Sequence, residues 1–581
     1  MGQYIANGDG NVPLHGPNTD GVDLPYHTNA AGYCVLDKTY KDPNNRRIRV
    51  VTIGAGYSGI LLAYRIPREL ENVEHVIYEK NGDIGGAWPE WPEYYSKSES
   101  IWEYLDRVCR VWNLRECMKF NHRVSEAVWH EDVGKWHLKI EKIYIDGAVE
   151  EITDTCDVLL QAAGLLNNPI LPKIEGYEKF KGRIVHTAQW PSDYGAEQWK
   201  NETVAVVGAG ASAVQTVPGM QPYAKALHVF VRSKTWLASA GSEADIDVWP
   251  AEKRKEFREH PEELVAEARK MEVQVNVMWK SMFKADPLQK LARETAAQKM
   301  REIIGRDDLA DGFIPDFGYG CRRVSPGIKM MKAVSQPNVT CHFSPVVRIT
   351  DHSVIAANGD ELRCDTIVFA TGFDTTFRPH YRLIGQDGVS LAEKWKDVPE
   401  GYLGVGVPGF PNFLTFFGPA WPTMLHGTVW EDDCSSWYKD KNGRIVAIWP
   451  GSGLHFQEVV SEPRWEDWNI KYMNKHNMFA FFGLGFTRRE RDPDSDKAPY
   501  MSLEAIDKEW LNDDIPWHVD FIPNKETARL ATAEHAPETL NRSNSLRKAQ
   551  LLDSTGPDGD RSVTFAGATL VDNEEIGQVL K

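Results

Sequence analysis

Two stretches of this chain have the residue types and spacing to hold a dinucleotide: Gly54-Ala55-Gly56-Tyr57-Ser58-Gly59 and Gly208-Ala209-Gly210-Ala211-Ser212-Ala213. Each follows a short apolar run (RVVTI and TVAVV) and opens a helical pattern. A glycine turn in that setting lets the backbone approach a pyrophosphate. The helix N-terminus adds unpaired N–H groups and the positive end of its dipole. What ends the next strand separates the two loops. Glu79, followed by Lys80, stands 20 residues beyond Gly59. An acid there accepts from ribose hydroxyls and repels a 2′-phosphate, so the first loop reads as a site for FAD or NAD. The matching place in the second unit carries Arg232-Ser233-Lys234. Arginine there accommodates a 2′-phosphate and points to NADPH, the alternative being solvated cations at a strand end. One site for FAD and one for NADPH imply hydride transfer from nicotinamide to flavin.

Two copies of a strand–turn–helix–strand unit predict an α/β protein with two Rossmann-like dinucleotide-binding domains. The periodicity predicts a polar arm over 1–45, a first FAD-binding part over 46–168 and a first NADP-binding part over 169–240. A helical insertion follows over 241–315, where apolar residues recur at helical spacing among charges. The NADP-binding part resumes over 316–377, the FAD-binding part over 378–534, and a polar tail closes the chain over 535–581. From about Gly401 come proline, glycine and aromatic residues, then helices are expected to about Leu511, and a short strand at RSVTFAGATLVDN. A chain of 581 residues exceeds one core. Its formal charge of −17 argues against a nucleic-acid partner. No run approaches the length of a membrane span, and the N-terminus lacks the apolar core of a signal peptide. The eight cysteines include no C-x-x-C pair, which reads as reduced thiols in the cytoplasm and no metal site.

Between the loops stands Phe180-Lys181-Gly182-Arg183-Ile184-Val185-His186-Thr187-Ala188-Gln189-Trp190. Its Phe180, Gly182, His186 and Trp190 match F-x-G-x-x-x-H-x-x-x-W, and on this fingerprint the chain resembles the type I Baeyer–Villiger monooxygenases. The resemblance extends over about residues 30–530, through Ala162-Ala163-Gly164, DTIVFATGF (Asp365 to Phe373), PGFPNFLTFFGPAWP (Pro408 to Pro422) and NKHNMFAFFGLGFTRRERD. In that family the histidine is thought to act through domain linkage, not as a catalytic base. DFGYGCRRVSPG resembles the family's active-site motif, which implies that Arg323 faces the flavin and Arg322 approaches the NADP phosphate. Read without the family, the two arginines are a basic pair in a surface loop.

The resemblance implies that NADPH reduces FAD and dioxygen adds at flavin C4a. The resulting peroxyflavin would then insert one oxygen atom into a ketone to give an ester or lactone, in fungal secondary metabolism. Anionic oxygen develops twice on that path. Arg323, with a fixed positive charge and several directed donors, suits its stabilisation.

The chain departs from the family after Asp83-Ile84-Gly85-Gly86-Ala87-Trp88, whose Gly86 and Trp88 are expected against the cofactor. Family members continue with a segment of the type N-x-Y-P-G-x-x-C-D-x-P, whose aspartate lies against the active-site arginine. Here Trp88 leads directly into PEWPEYYSKSES, so that segment and its aspartate are absent, with Glu93 and Glu99 as the nearest substitutes. Ala420 replaces the family's Asn after Gly-Pro, and Leu166 replaces its Trp. Three other readings stay open: a heteroatom-hydroxylating monooxygenase, an uncoupled NADPH oxidase, and a non-catalytic homologue that binds nucleotide or folds poorly.

Overall fold

A computed structural model describes residues 26–28, 34–36, 47–85, 98–238, 249–420, 425–440, 442–471, 482 and 486–499. Gly86, Trp88 and Glu93 lie outside the described residues, as does the tail with its predicted strand; of Glu99 only the helical backbone is described.

Two five-stranded parallel sheets organise the chain. The first runs in the order 413–415, 158–161, 48–53, 73–78, 118–119. The second runs 183–186, 366–369, 203–207, 226–230, 339–342. In each, the strand preceding a glycine loop is flanked on both sides, and its sequence reads as an unbroken apolar run because both faces are covered. Val51 and Thr52 are fully buried in the first, and Val204, Ala205 and Val206 in the second. Helix Tyr57–Glu69 leaves the first loop and Ala211–Met220 the second, as the pattern predicts. The α/β architecture is therefore the one expected.

Above the first sheet lies a four-stranded sheet in the order 382–384, 122–130, 135–143, 149–156. Trp136 is fully buried between the sheets and donates from Nε1 to the Pro411 carbonyl at 2.8 Å. The helical insertion comprises Ala251–Glu259, Pro261–Val277, Pro287–Ile304 and Asp307–Phe313. Met300, Ile304 and Phe313 seat it in the core of the second sheet.

Two expectations are corrected. Among the described residues after 401, the α-helices are only Gly453–Val459 and Arg488–Arg491. Proline and glycine punctuate that stretch (Pro450, Gly451, Pro463), and turns take the place of helix. The cysteines are not all thiols: Cys321 is bonded to Cys434 across 113 residues, because both fall in one apolar cluster with Val429, Trp430 and Ile445. Cys109, Cys117, Cys156, Cys341 and Cys364 are free. No helix among the described residues is long and apolar enough to cross a membrane.

Candidate nucleotide-binding and active site

Both glycine loops sit at the carboxyl ends of their sheets, where α/β folds bind ligands. Gly54 has φ +106°, and a Cβ there would stand 2.7 Å from the Ala162 carbonyl oxygen. Gly208 repeats the geometry with φ +122° and a Cβ 2.5 Å from the Ala370 oxygen. Neither position admits a side chain, so the backbone itself faces the crevice. Gly56, Ser58 and Gly59 carry the first loop into its helix, and Gly210, Ser212 and Ala213 the second.

The strand ends differ as the sequence predicts. Glu79 is 8% exposed; one carboxylate oxygen accepts from the Ala55 N–H at 2.9 Å and the other from the Asn81 N–H at 2.8 Å. The acid is thus tied to the glycine loop, and its remaining lone pairs stay free for further donors. At the second strand end Arg232 is exposed, with Ser233 and Lys234 half-buried behind it. The Arg322 guanidinium donates to the Lys234 carbonyl at 3.1 Å. Burial, and then the like charge of Arg232, pull its pKa below the usual arginine value. The Lys234 ammonium lies 3.9 Å from the exposed Asp316 carboxylate. Among the described residues no carboxylate pairs with Arg232 or Arg322. The second cradle therefore holds an excess of directed cations, a fit for a phosphate.

The fingerprint residues lie at the junction of the second sheet with its crossover toward the first. Gly182 packs so tightly that a Cβ would stand 2.2 Å from the Asp365 oxygen. Phe180 packs beside the cluster of Phe369 and Ile367. His186 ends its strand and is 4% exposed, with its ring edge-on to Phe373 at 6.3 Å. Its Nδ1 accepts from the Ala188 N–H at 3.1 Å, while Nε2 is buried without a partner among the described residues. Burial lowers its pKa. Trp190 turns the other way and donates to the Tyr194 carbonyl at 2.8 Å.

A small, open pocket lies at the carboxyl ends of strands 158–161 and 413–415. Gln161, Asn168, Asp374, Arg378 and His380 supply its polar wall, and Phe377, Phe416 and Phe417 its apolar one. Of the stretches singled out from the sequence, Gly164, Phe413 and Thr415 to Pro419 line it, whereas the glycine loops, Glu79, Arg232, Arg322 and Arg323 do not. Lys80 is the nearest link: with Asp374 and Arg378 it acts on His380, whose pKa is lowered chiefly by burial. Phe377 and Phe417 have φ +61° and +54°, a left-handed backbone that aromatic residues rarely adopt. Such strain gathers at ligand sites, and Phe417 is 81% exposed. The sequence signal for this wall was DTTFRPH directly after DTIVFATGF, and the FFGP turn.

Arg323 is exposed and lies outside that cavity. Its charge acts on Tyr438, whose pKa is raised by burial and held back by the arginine. No carboxylate pairs with Arg323 among the described residues.

Residues 89–309 match the flavin-binding monooxygenase-like family. The FAD-binding monooxygenase stcW of Emericella nidulans is 40% identical, over 85% of this chain and 93% of its own length. A Baeyer–Villiger monooxygenase of Streptomyces coelicolor is 28% identical, over 71% of this chain and 91% of its own. In fold the chain resembles the crystal structure of OTEMO in complex with FAD and NADP, with a TM-score of 0.60 and 21% identity, over 74% of this chain and 99% of that one.

Proposed function

We propose, from the premise that the chain belongs to the FAD-binding monooxygenases of the Baeyer–Villiger type, that it uses NADPH and dioxygen to convert a bulky ketone to an ester or lactone. The observation that carries the proposal is the opposite polarity of two otherwise similar cradles. Buried Glu79 in the first suits the ribose of FAD. Arg322 in the second, beside Arg232 and tied among the described residues only to a carbonyl, suits the 2′-phosphate of NADPH. Gly54 and Gly208 leave backbone room for a pyrophosphate in each.

When bound and reduced by NADPH, FAD supplies the chemistry that activates dioxygen. The chain's own residues bind, orient and shield. Glu79, with Lys80 beside it, fixes the adenosine end. Asp374, Arg378, Phe377 and Phe417 wall the crevice beyond it. Arg323 presents its guanidinium to negative oxygen as it develops. His186 and Phe373 set the junction between the two sheets, so His186 is a positioning residue. Fungal secondary metabolism is the setting we infer, supported by the fungal relative, and the cytoplasm is the compartment.

One observation favours a second reading, an uncoupled NADPH oxidase: Arg323 has no carboxylate partner among the described residues to aim it. Incubation of the purified protein with NADPH, oxygen and a ketone panel separates the two. A product heavier by one oxygen atom, formed in proportion to the NADPH consumed, supports oxygen insertion. Peroxide matching all of the NADPH consumed rejects it.

A further inference from the structure

The loop that ends in Arg322 and Arg323 is fastened to a distant segment, 429–439, by more than packing. Gly318 donates its N–H to an Asp432 carboxylate oxygen at 2.6 Å, and the Lys284 ammonium holds the other oxygen at 2.7 Å. The Lys439 ammonium donates to the Asp432 carbonyl at 2.8 Å and the Trp430 carbonyl at 3.2 Å. At the far end of the loop the fastening is covalent: Cys321, the residue before the two arginines, is bonded to Cys434. The two cysteines are 0% and 6% exposed, beneath Val429, Trp430 and Tyr438. Beyond Cys321 the side chains give little further hold. Arg322 has one carbonyl, and Arg323 has no hydrogen bond to another described residue. The place from which both guanidinium groups extend is therefore set by the backbone that the sulfur bridge anchors.

We propose that the Cys321–Cys434 disulfide is a positioning cross-link of the working enzyme, which aims Arg322 at the NADPH phosphate and Arg323 at the developing oxyanion. It deepens the monooxygenase reading and rests on that reading for its kinetic consequence, but not for the existence of the bond. Hydrogen peroxide, the product of any turnover that fails to oxygenate, is the oxidant. The Lys439 ammonium, 3.9 Å from the Cys321 sulfur, favours the thiolate there. That thiolate attacks one peroxide oxygen; the O–O bond breaks, and the departing hydroxide takes up a proton as water. The Cys434 thiol gives up its proton and its sulfur displaces the oxygen from Cys321, which leaves as a second water. Two thiols are oxidised, and one peroxide is reduced to two waters. An enzyme that makes peroxide when misaligned would thereby lock its own alignment.

The test begins on the holoenzyme, treated with peroxide, alkylated in denaturant without reductant and digested. A linked peptide pair containing Cys321 and Cys434, lost on reduction, is expected; alkylation of both cysteines overturns the proposal. The second arm compares oxidised enzyme, reduced enzyme, Cys321→Ser and Cys434→Ser. We expect the KM for NADPH and the share of NADPH ending as peroxide to rise several-fold on reduction, with flavin still bound, and to return after re-oxidation. A bond that only stabilises would lower the melting temperature and leave both kinetic quantities unchanged, which also overturns it. Should the serine variants not fold, reduced wild type decides. Should no ketone be oxygenated by any form, the monooxygenase reading fails, while peptide mapping and the KM for NADPH still judge the cross-link.

Discussion

The two cradles share their order of elements and differ in how each is equipped to recognise an adenosine. In the first, the deciding residue is local: Glu79 lies in the same strand–helix–strand unit as Gly54 and bonds back to Ala55. In the second, Arg232 is local but exposed, and its partner Arg322 arrives from a loop 90 residues further on. Even the third loop position reflects the difference. A Cβ at Gly59 would stand 2.2 Å from the Gly54 oxygen, whereas Ala213 carries its methyl fully buried. A polar acid can be kept rigid by two backbone amides. A phosphate site needs several donors, and these are gathered from separate segments.

The sharpest break of this comparison is Gly54→Ala. A φ of +106° and a carbonyl 2.7 Å from the new methyl leave no relaxed geometry, so flavin binding should be lost and the purified protein should be colourless. Retained yellow colour, with an unchanged flavin spectrum, would mean the first loop does not face the pyrophosphate. Next in size is Arg323→Ala. It should keep flavin bound and lower ester formation by about 10²–10³-fold, the usual effect of losing one oxyanion donor. An unchanged ester yield, read by mass, would remove Arg323 from the site.

The strands, both glycine loops and the acid–base contrast were legible because each is written in contiguous residues with period and spacing. The cavity wall was legible only in part, through Gly164 and the FFGP turn. Phe377 and Phe417 look like ordinary aromatics until their left-handed backbone is seen, and Asp374 and His380 meet Gln161 only through the fold. The Cys321–Cys434 bond was missed for the same reason: 113 residues separate the partners, and neither sits in a spacing motif. The sheet over 122–156 carries no glycine loop or spacing motif to mark it. Among the described residues after Gly401, Pro450, Gly451 and Pro463 break the chain into turns where helix was expected.

A smaller effect sharpens the first cradle. Glu79→Gln removes the charge and keeps the shape, and should weaken FAD about tenfold, roughly 1.4 kcal/mol. Flavin fluorescence on dilution measures it, and no change would mean that the acid serves the loop alone. The smallest effect concerns pH. Half-buried His75, bonded through Nε2 to the Thr52 hydroxyl at 2.8 Å, has its pKa lowered by desolvation from 6.5 to about 4. Its folded pKa lies below the unfolded one, so this stability is complete above pH 6.5 and is lost as pH falls toward 4. His228 and His342 in the second sheet are lowered in the same direction, chiefly by burial. His75→Leu should therefore flatten only part of the acid limb, by at most about 3 kcal/mol. Denaturant titrations between pH 7 and 4 check this, and an acid limb as steep as wild type would contradict it.

The most direct test of opposed cradles is steady-state kinetics with NADPH and NADH on wild type and Arg322→Ala. The account predicts a KM for NADPH raised about 10- to 100-fold in the variant, matching a lost charge-assisted phosphate contact, with the KM for NADH nearly unchanged. Equal increases for both nucleotides, or a wild type that does not prefer NADPH, would contradict it.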